Sequence, residues 1–273
     1  MLKNLKNFLQ FKAIHPLIFL VNKPIGFSSF TIVDIFQKIL NDKVGHAGTL
    51  DPLATGELLL LAGHTTKLTD KFITRPKQYQ ATFIIGLHTD SYDLETPIVR
   101  LKQYDTSKIN KILISKTLKL LKKPKLIKIT GYSAIKRNGT PLYLNKKGTY
   151  KEMAIQNYKI ISTKIVNKDN VIKKISELAS IIASNKALYL EISKTYNIKP
   201  RKQQLNLFNN LLLKLNQNIN TLKMSKDVQE LFILKAKLRV TKGTYIRSIA
   251  QQLEKYVKIP TTTLLINRIN TYK

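Results

Sequence analysis

KVGHAGTLDPLATG, residues 43–56, separates an amphipathic run upstream from the apolar run LLLLA at 58–62. It holds Gly45, Gly48 and Gly56, two threonines, and an aspartate directly before a proline. Glycine lets the backbone take φ > 0 or pass close to another group, and Pro52 holds Asp51 out of the α region. Such a turn presents Asp51 at a fixed angle between two packed elements. Polar loops fixed on rigid scaffolds are frequent seats of chemistry, yet the same residues suit a plain Asp-Pro turn whose aspartate only caps. This stretch alone leaves both readings open.

Working outward, residues 16–22 read as a buried strand entering VNKPIGFSS, with Lys23 beside Pro24 and Gly26. Ser28 or Ser29 caps the next helix, whose apolar positions Phe30, Val33, Phe36, Ile39 and Leu40 recur at three and four, and which ends near Asn41. Downstream, Leu58 to Leu61 are expected to be buried, with Gly63 breaking the run. YQATFIIG at 79–86 alternates as a strand with Tyr79, Ala81, Phe83 and Ile85 on one face. HTDSYDLE (88–95) is a polar turn. Ser107 to Leu121 has helical spacing through Ile109, Ile112, Leu113, Leu120 and Leu121, with Thr106 or Ser107 as cap.

Residues 122–151 are rich in lysine and tyrosine and hold no acidic residue. A basic arm with aromatic handles suits stacking plus phosphate contact; a long solvated hairpin is the plainer alternative. Ala154 to Val166 reads as strand. Over 168–227, Ile172, Ile175, Leu178, Ala179 and Ile182 form one helical stripe and Leu205, Phe208, Leu211, Leu212 and Leu215 another, joined by a basic linker at 197–204. The strand pattern resumes with Phe232, Leu234, Ala236, Leu238 and Val240, before a glycine turn, a helix from about Tyr245, and a last strand at 264–269.

Composition narrows the function. The 273 residues can bury one large core, or a core with a smaller companion. Lys and Arg number 47 against 16 Asp and Glu, a formal charge of +31 spread along the whole chain. A surface this positive attracts phosphate backbones. With no zinc-finger spacing and no basic heptads, a folded RNA read by shape is at least as good a partner as a DNA groove. Cysteine is absent, which excludes disulfides, thiolate catalysis and cysteine-held metals. The histidines at 15, 46, 64 and 88 make no metal-binding spacing. No apolar run reaches bilayer length, and the start of the chain is not expected to be a signal peptide.

Asp51, Tyr79 and Arg247 stand at the ends of regular elements beside glycines. An aspartate is a poor base but a usable nucleophile. An arginine beside it would keep it anionic and fixed. Tyr79 could pack on a planar ring, or be ordinary core; Arg247 could simply bind phosphate.

Four blocks in order, NKPIGFSS at 22–29, GHAGTLDPLATG at 45–56, YSAIKRNGTPLY at 132–143 and TKGTYIRSI at 241–249, resemble the bacterial TruB-type tRNA pseudouridine synthases. The resemblance covers most of 16–167 and 229–269. It implies an α+β fold: a mixed, mainly antiparallel central sheet flanked by helices, with a basic thumb at 122–151 and a helical insertion at 168–227, all in one catalytic domain. It implies a cofactor-free, metal-free isomerase that converts uridine 55 in the tRNA T-arm to pseudouridine. Asp51 falls on the family's catalytic aspartate, Tyr79 on its active-site tyrosine, and Arg247 on the arginine that pairs with the aspartate. His46 matches the histidine that contacts RNA around the extruded base. Lys23 and Pro24 match the block shaping the pocket, and Ile266 replaces a leucine under the base. Gly45, Tyr132, Lys136 and Tyr245 complete the expected substrate contacts.

The implied partner is the T-stem-loop of tRNA, bound by a cytoplasmic monomer with no membrane association. The alternatives are a pseudouridine synthase for another RNA and an RNA-folding chaperone. The sequence departs from the family pattern in several places. Thr130-Gly131 replaces a Pro-Pro pair and Lys128 a glutamine, so the thumb is expected to be looser. Asn267-Arg268 replaces Arg-Arg, removing one phosphate or packing contact. The turn after TDS lacks its glycine. The 168–227 block is open between spacer and RNA-facing lobe. A C-terminal PUA domain, common in the family, has no room in Ile269 to Lys273 and is expected to be absent.

Overall fold

The computed structural model describes residues 2–105, 109–129, 136–137, 140–141, 149–269 and 271. The chain runs α1 (Leu2–Leu5), β1 (Phe11–His15), β2 (Ile18–Lys23), α2 (Ser29–Leu40), β3 (Val44–His46), β4 (Ala54–Ala62), a 3-10 segment (Gly63–Leu68) and α3 (Thr69–Ile73). Then come β5 (Lys77–Ile85), β6 (Leu87–Thr89), β7 (Ile98–Leu101), α4 (Lys111–Leu120), β8 (Lys125–Ile129), β9 (Lys136–Arg137), β10 (Thr140–Pro141), β11 (Thr149–Met153) and β12 (Ile155–Asn167). The long helices α5 (Lys168–Thr195) and α6 (Lys202–Met224) precede β13 (Glu230–Val240), α7 (Ile246–Val257) and β14 (Thr261–Arg268). The architecture is α+β, with mainly antiparallel sheet flanked by helices, and it divides into two compact units. One comprises residues 1–75, 176–213 and 267–273, the other 76–175 and 214–266.

In the first unit β1, β2 and β4 pair antiparallel in that order, with β3 also on β4. Leu58 to Leu61 are fully buried, as their unbroken apolar run predicts. Each such leucine contributes roughly 2 kcal/mol of burial. Ser28 caps α2, its hydroxyl accepting from Thr31 N at 3.0 Å, and Asn41 ends it in the left-handed region at φ 50°. The buried stripe of α2 is Ile32, Val33, Ile35, Phe36 and Ile39. Phe30, expected in that stripe, is 52% exposed because it lies on the side of the helix away from Ile32, Ile35, Phe36 and Ile39, and it lies under the Arg201 guanidinium at 4.6 Å instead.

Residues 176–213 of the helical block are part of this core rather than a spacer. Phe27 packs edge-on against Tyr189 of α5 and Phe208 of α6, at centroid distances of 5.9 and 5.3 Å. Gly26 carries no side chain where a Cβ would stand 2.8 Å from the Phe208 ring, and its φ is +87°. Arg201, in the turn between the helices, makes a bidentate pair with buried Asp34 of α2 at 2.6 and 2.8 Å.

In the second unit the sheet order is β14, β5, β13, β12. Tyr79, Ala81, Phe83 and Ile85 are all buried on one face of β5, as their alternation predicts, with Tyr79 opposite Leu238 of β13. α4 begins at Lys111, later than expected, because the Asn110 side chain provides the cap by accepting from Leu113 N at 2.9 Å. That start turns Ile114, Thr117 and Leu118 inward and leaves Ile112 and Leu120 exposed. Thr106 and Ser107, the expected caps, lie outside the described residues. β8 and β11 pair as the base of a hairpin; 130–135, 138–139 and 142–148 of the expected thumb lie outside the described residues.

Candidate active site

The backbone on either side of Asp51 is pinned. Immediately before it, Leu50 exchanges two bonds with buried Ser29 at the start of α2: its N–H donates to Ser29 Oγ (2.8 Å), and that hydroxyl donates to the Leu50 carbonyl (3.1 Å). Immediately after it, the Pro52 carbonyl accepts from Gly26 N (2.8 Å) and from Lys23 Nζ (3.3 Å). Ala54 N closes the turn onto the Asp51 carbonyl at 3.0 Å. The register sets Lys23 opposite Gly56, so the end of β2 lies beside the chain leaving the Asp51 turn.

Two buried cations hold this loop through main-chain carbonyls. Lys23 has no exposed surface, and its ammonium donates to the carbonyls of Pro24 (3.0 Å), Phe27 (2.7 Å) and Pro52. An ammonium has three donors, and these three acceptors tie the KPIGF turn to the Asp51 turn. Arg268, 2% exposed, lies beneath the glycine-rich segment and donates to the carbonyls of Gly48 (3.1 Å), Thr49 (3.2 Å) and Glu57 (2.5 Å). Gly56 permits that approach: at φ +101°, a Cβ would lie 2.2 Å from the Arg268 carbonyl. The helical block adds a third brace, since Gln204 donates to the Gly26 carbonyl (2.9 Å) and accepts from Thr31 Oγ1 (2.6 Å), while Asn185 donates to the Ile25 carbonyl (2.9 Å).

Of the residues singled out from the sequence, Lys23, Pro24, Gly45, His46 and Asp51 belong to this unit. Gly45 and His46 lie on β3 against Leu61 and Leu60 of β4. Burial holds the His46 imidazole below its usual value, its backbone hydrogen bond opposes that, and the positive charge of Arg268 reinforces it. Its Nδ1 is buried with no hydrogen-bond partner among the described residues. His46 is therefore a neutral ring at neutral pH.

Tyr79, Tyr245, Arg247 and Ile266 belong to the second unit. Arg247, 4% exposed in the first turn of α7, has its Nε 3.4 Å from Asp93 Oδ2 and donates from Nη1 to the Ser91 carbonyl at 3.2 Å. Asp93 Oδ1 is itself held by the Ser91 hydroxyl (2.6 Å) and Glu95 N (2.9 Å). The HTDSYDLE turn, read from sequence only as polar, thus seats this arginine. Tyr245 precedes α7, with Lys151 Nζ 6.0 Å above its ring. Ile266 is buried on β14. Lys136 lies in β9, and Tyr132 lies outside the described residues.

Sequence reading did not anticipate Arg268, Ser29, Gln204 or Asp93 in these positions. Only Arg268 carried a signal, as the surviving arginine of a pair, and its work is with backbone rather than phosphate. Among the described residues no group of three or more His, Asp or Glu is placed to hold a metal ion.

An α+β fold that locks one aspartate between hydrogen-bonded backbone neighbours, and seats an arginine on a separate acidic turn, defines a loop-borne carboxylate site. The chain belongs to the TruB family: residues 37–190 match the family described as "TruB family pseudouridylate synthase (N terminal domain)". It is 41% identical to the tRNA pseudouridine synthase B of Flavobacterium johnsoniae over 139 residues, which cover 46% of this chain and 58% of that protein. Against the tRNA pseudouridine synthase B of Endomicrobium trichonymphae it is 29% identical over 255 residues, 92% of this chain and 83% of that one. For most of these curated relatives the match spans about half of their length. A solved structure titled "Crystal Structure of a Cbf5-Nop10-Gar1 Complex" aligns with 92% of this chain and 47% of its own at TM-score 0.47 and 15% identity.

Proposed function

We propose that the chain is a tRNA pseudouridine synthase acting on uridine 55 of the T-arm. The observation that carries the reading is the Asp51 turn, braced through Leu50, Pro52, Gly48 and Thr49, within a chain of the TruB family. A base inside a folded loop has to be extruded before chemistry, which costs a few kcal/mol, offset by stacking and edge contacts. Asp51 then either attacks C1′ of the ribose or takes the C2′ proton to give a glycal. On either route the C1′–N1 bond breaks, the freed uracil turns and C1′–C5 forms, with the C2′ proton returned to C2′ on the glycal route; the C5 proton then leaves and N1, which carried the ribose before, gains one. The reaction is an isomerisation, with no oxidant and no net transfer.

In this reading Tyr79 stacks on the loose ring and assists loss of the C5 proton, while Arg247 orients the carboxylate. His46, neutral and close to the turn, meets RNA around the emptied stack. Lys23 and Arg268 act from beneath, by fixing where Asp51 stands. Preorganised geometry of this kind avoids reorganisation as charge develops.

The test is product mapping on a T-arm hairpin and on full-length tRNA, by carbodiimide labelling and primer extension. The reading predicts a single labelled position at uridine 55. Label at another position, or only in another RNA, replaces the substrate; binding without label at any enzyme excess leaves the chaperone reading.

A further inference from the structure

The strand β5 carries Tyr79 on one face, and its opposite face belongs to a different kind of surface. Directly paired residues of antiparallel strands share a face. By register, Gln78 and Gln80 of β5 stand beside Arg239 and Lys237 of β13, which in turn stand beside Asn157 and Lys159 of β12. Lys235 and Lys164 extend the same face along their strands. Lys159, Lys164, Lys237 and Arg239 are exposed and Lys235 is half-buried. No carboxylate shares the paired positions of this face, and none of the five cations forms an ion pair among the described residues. Arg239 instead donates to Gln156 Oε1 at 3.2 Å. A shallow depression is lined by Gln78, Asn157, Lys159, Lys237 and Arg239.

Like charges set directly opposite one another destabilise a sheet, and Lys159 is opposite Lys237, with Arg239 two residues along. A merely solvated surface intersperses the two signs. Same-face residues on a strand repeat at roughly 6–7 Å, so the cations form a rigid row with amide donors alongside, which matches the repeating charge of a phosphate backbone.

We infer that this face of β5, β13 and β12 is a second RNA-contact surface, gripping phosphates of the RNA outside the loop that reacts. The inference rests on the proposal that the substrate is RNA, and it adds a grip on the body of the molecule to the grip on the reacting loop. Short hairpins then use the catalytic residues alone, and full-length tRNA uses both.

Replacing Lys159, Lys237 and Arg239 together by Gln changes three exposed side chains and no packed one. Affinity for full-length tRNA is measured against salt, with Lys173→Gln, Lys174→Gln and Lys194→Gln on exposed positions of α5 as a charge-matched control. The expected result is a log–log salt slope smaller by about 2, since each phosphate contact contributes about 0.7 to 0.9. It comes with about tenfold weaker tRNA binding near 150 mM salt, and turnover of saturating short hairpin within about twofold of the parent. An unchanged slope, or an equal loss in the control, overturns the inference. A parent chain that binds tRNA with this slope pattern but makes no pseudouridine refutes the proposed reaction and leaves the second surface standing; one that binds tRNA without salt dependence overturns the surface.

Discussion

The two units hold their expected catalytic side chains by opposite means. Asp51 stands on a turn held by two buried cations, Lys23 and Arg268, each of which donates to three carbonyls. Arg247 is held by a carboxylate, Asp93, itself fixed by Ser91 and Glu95. In the first case the bonds described fix the expected catalytic residue through the backbone on either side of it. In the second the functional side chain is itself part of a buried ion pair.

The largest effect that would break this comparison is at the ion pair. Arg247→Met removes the cation beside buried Asp93, which costs about 3–5 kcal/mol, and chemical denaturation is expected to show that loss. Adding Asp93→Asn should recover part of the stability and none of the turnover. Next is Arg268→Met, which orphans three carbonyls. At about 1 kcal/mol or more for each bond lost, the expected destabilisation is about 3 kcal/mol, with a fall in kcat larger than any rise in KM. Arg268→Lys should restore part of both, since it can reach some of the same carbonyls; a variant with full kcat would mean the loop needs no clamp.

Gln204→Ala is smaller, about 1–2 kcal/mol, and tests whether the helical block braces the KPIGF turn. Hairpin turnover should fall a few-fold, while a Gln203→Ala control on the exposed side of α6 should change nothing. The smallest effect is the pH dependence from His46. Its native pKa lies below 6.5, so the unfolded chain binds the proton more readily. The stability tied to the neutral ring is present above about pH 6.5 and is lost as pH falls through the lowered value. His46→Gln removes that loss, so melting curves of parent and variant should converge between pH 7 and 5; a constant gap would show that the ring does not titrate on unfolding.

What was legible in the sequence was local. The Ser28 cap, the Asn41 stop, the alternation from Tyr79 to Ile85 and the Asp51-Pro52 turn each depend on residues a few positions apart, where sterics and periodicity speak directly. The bonds that hold the site are long-range. Arg268 reaches the Thr49 carbonyl across 219 residues, Gln204 the Gly26 carbonyl across 178, and Arg247 the Ser91 carbonyl across 156. No spacing marks a buried side chain that serves a distant carbonyl. The late start of α4 was missed for a smaller reason, because Thr106, Ser107 and Asn110 all make acceptable caps and only tertiary packing chooses among them. The 168–227 block was readable as two helices and not as part of a core, since the aromatic contact joins Phe27 to Tyr189 and Phe208.

The central claim is that a turn locked through its backbone delivers the Asp51 carboxylate to a uridine ribose. The most direct measurement is single-turnover release of tritium from C5-labelled uridine in tRNA, at enzyme excess, for the parent and Asp51→Asn, with tRNA affinity measured beside it. The account predicts stoichiometric release by the parent, no release by Asp51→Asn, and affinities within a few-fold of one another. Release by the variant at a comparable rate, or loss of binding in step with loss of release, would contradict it.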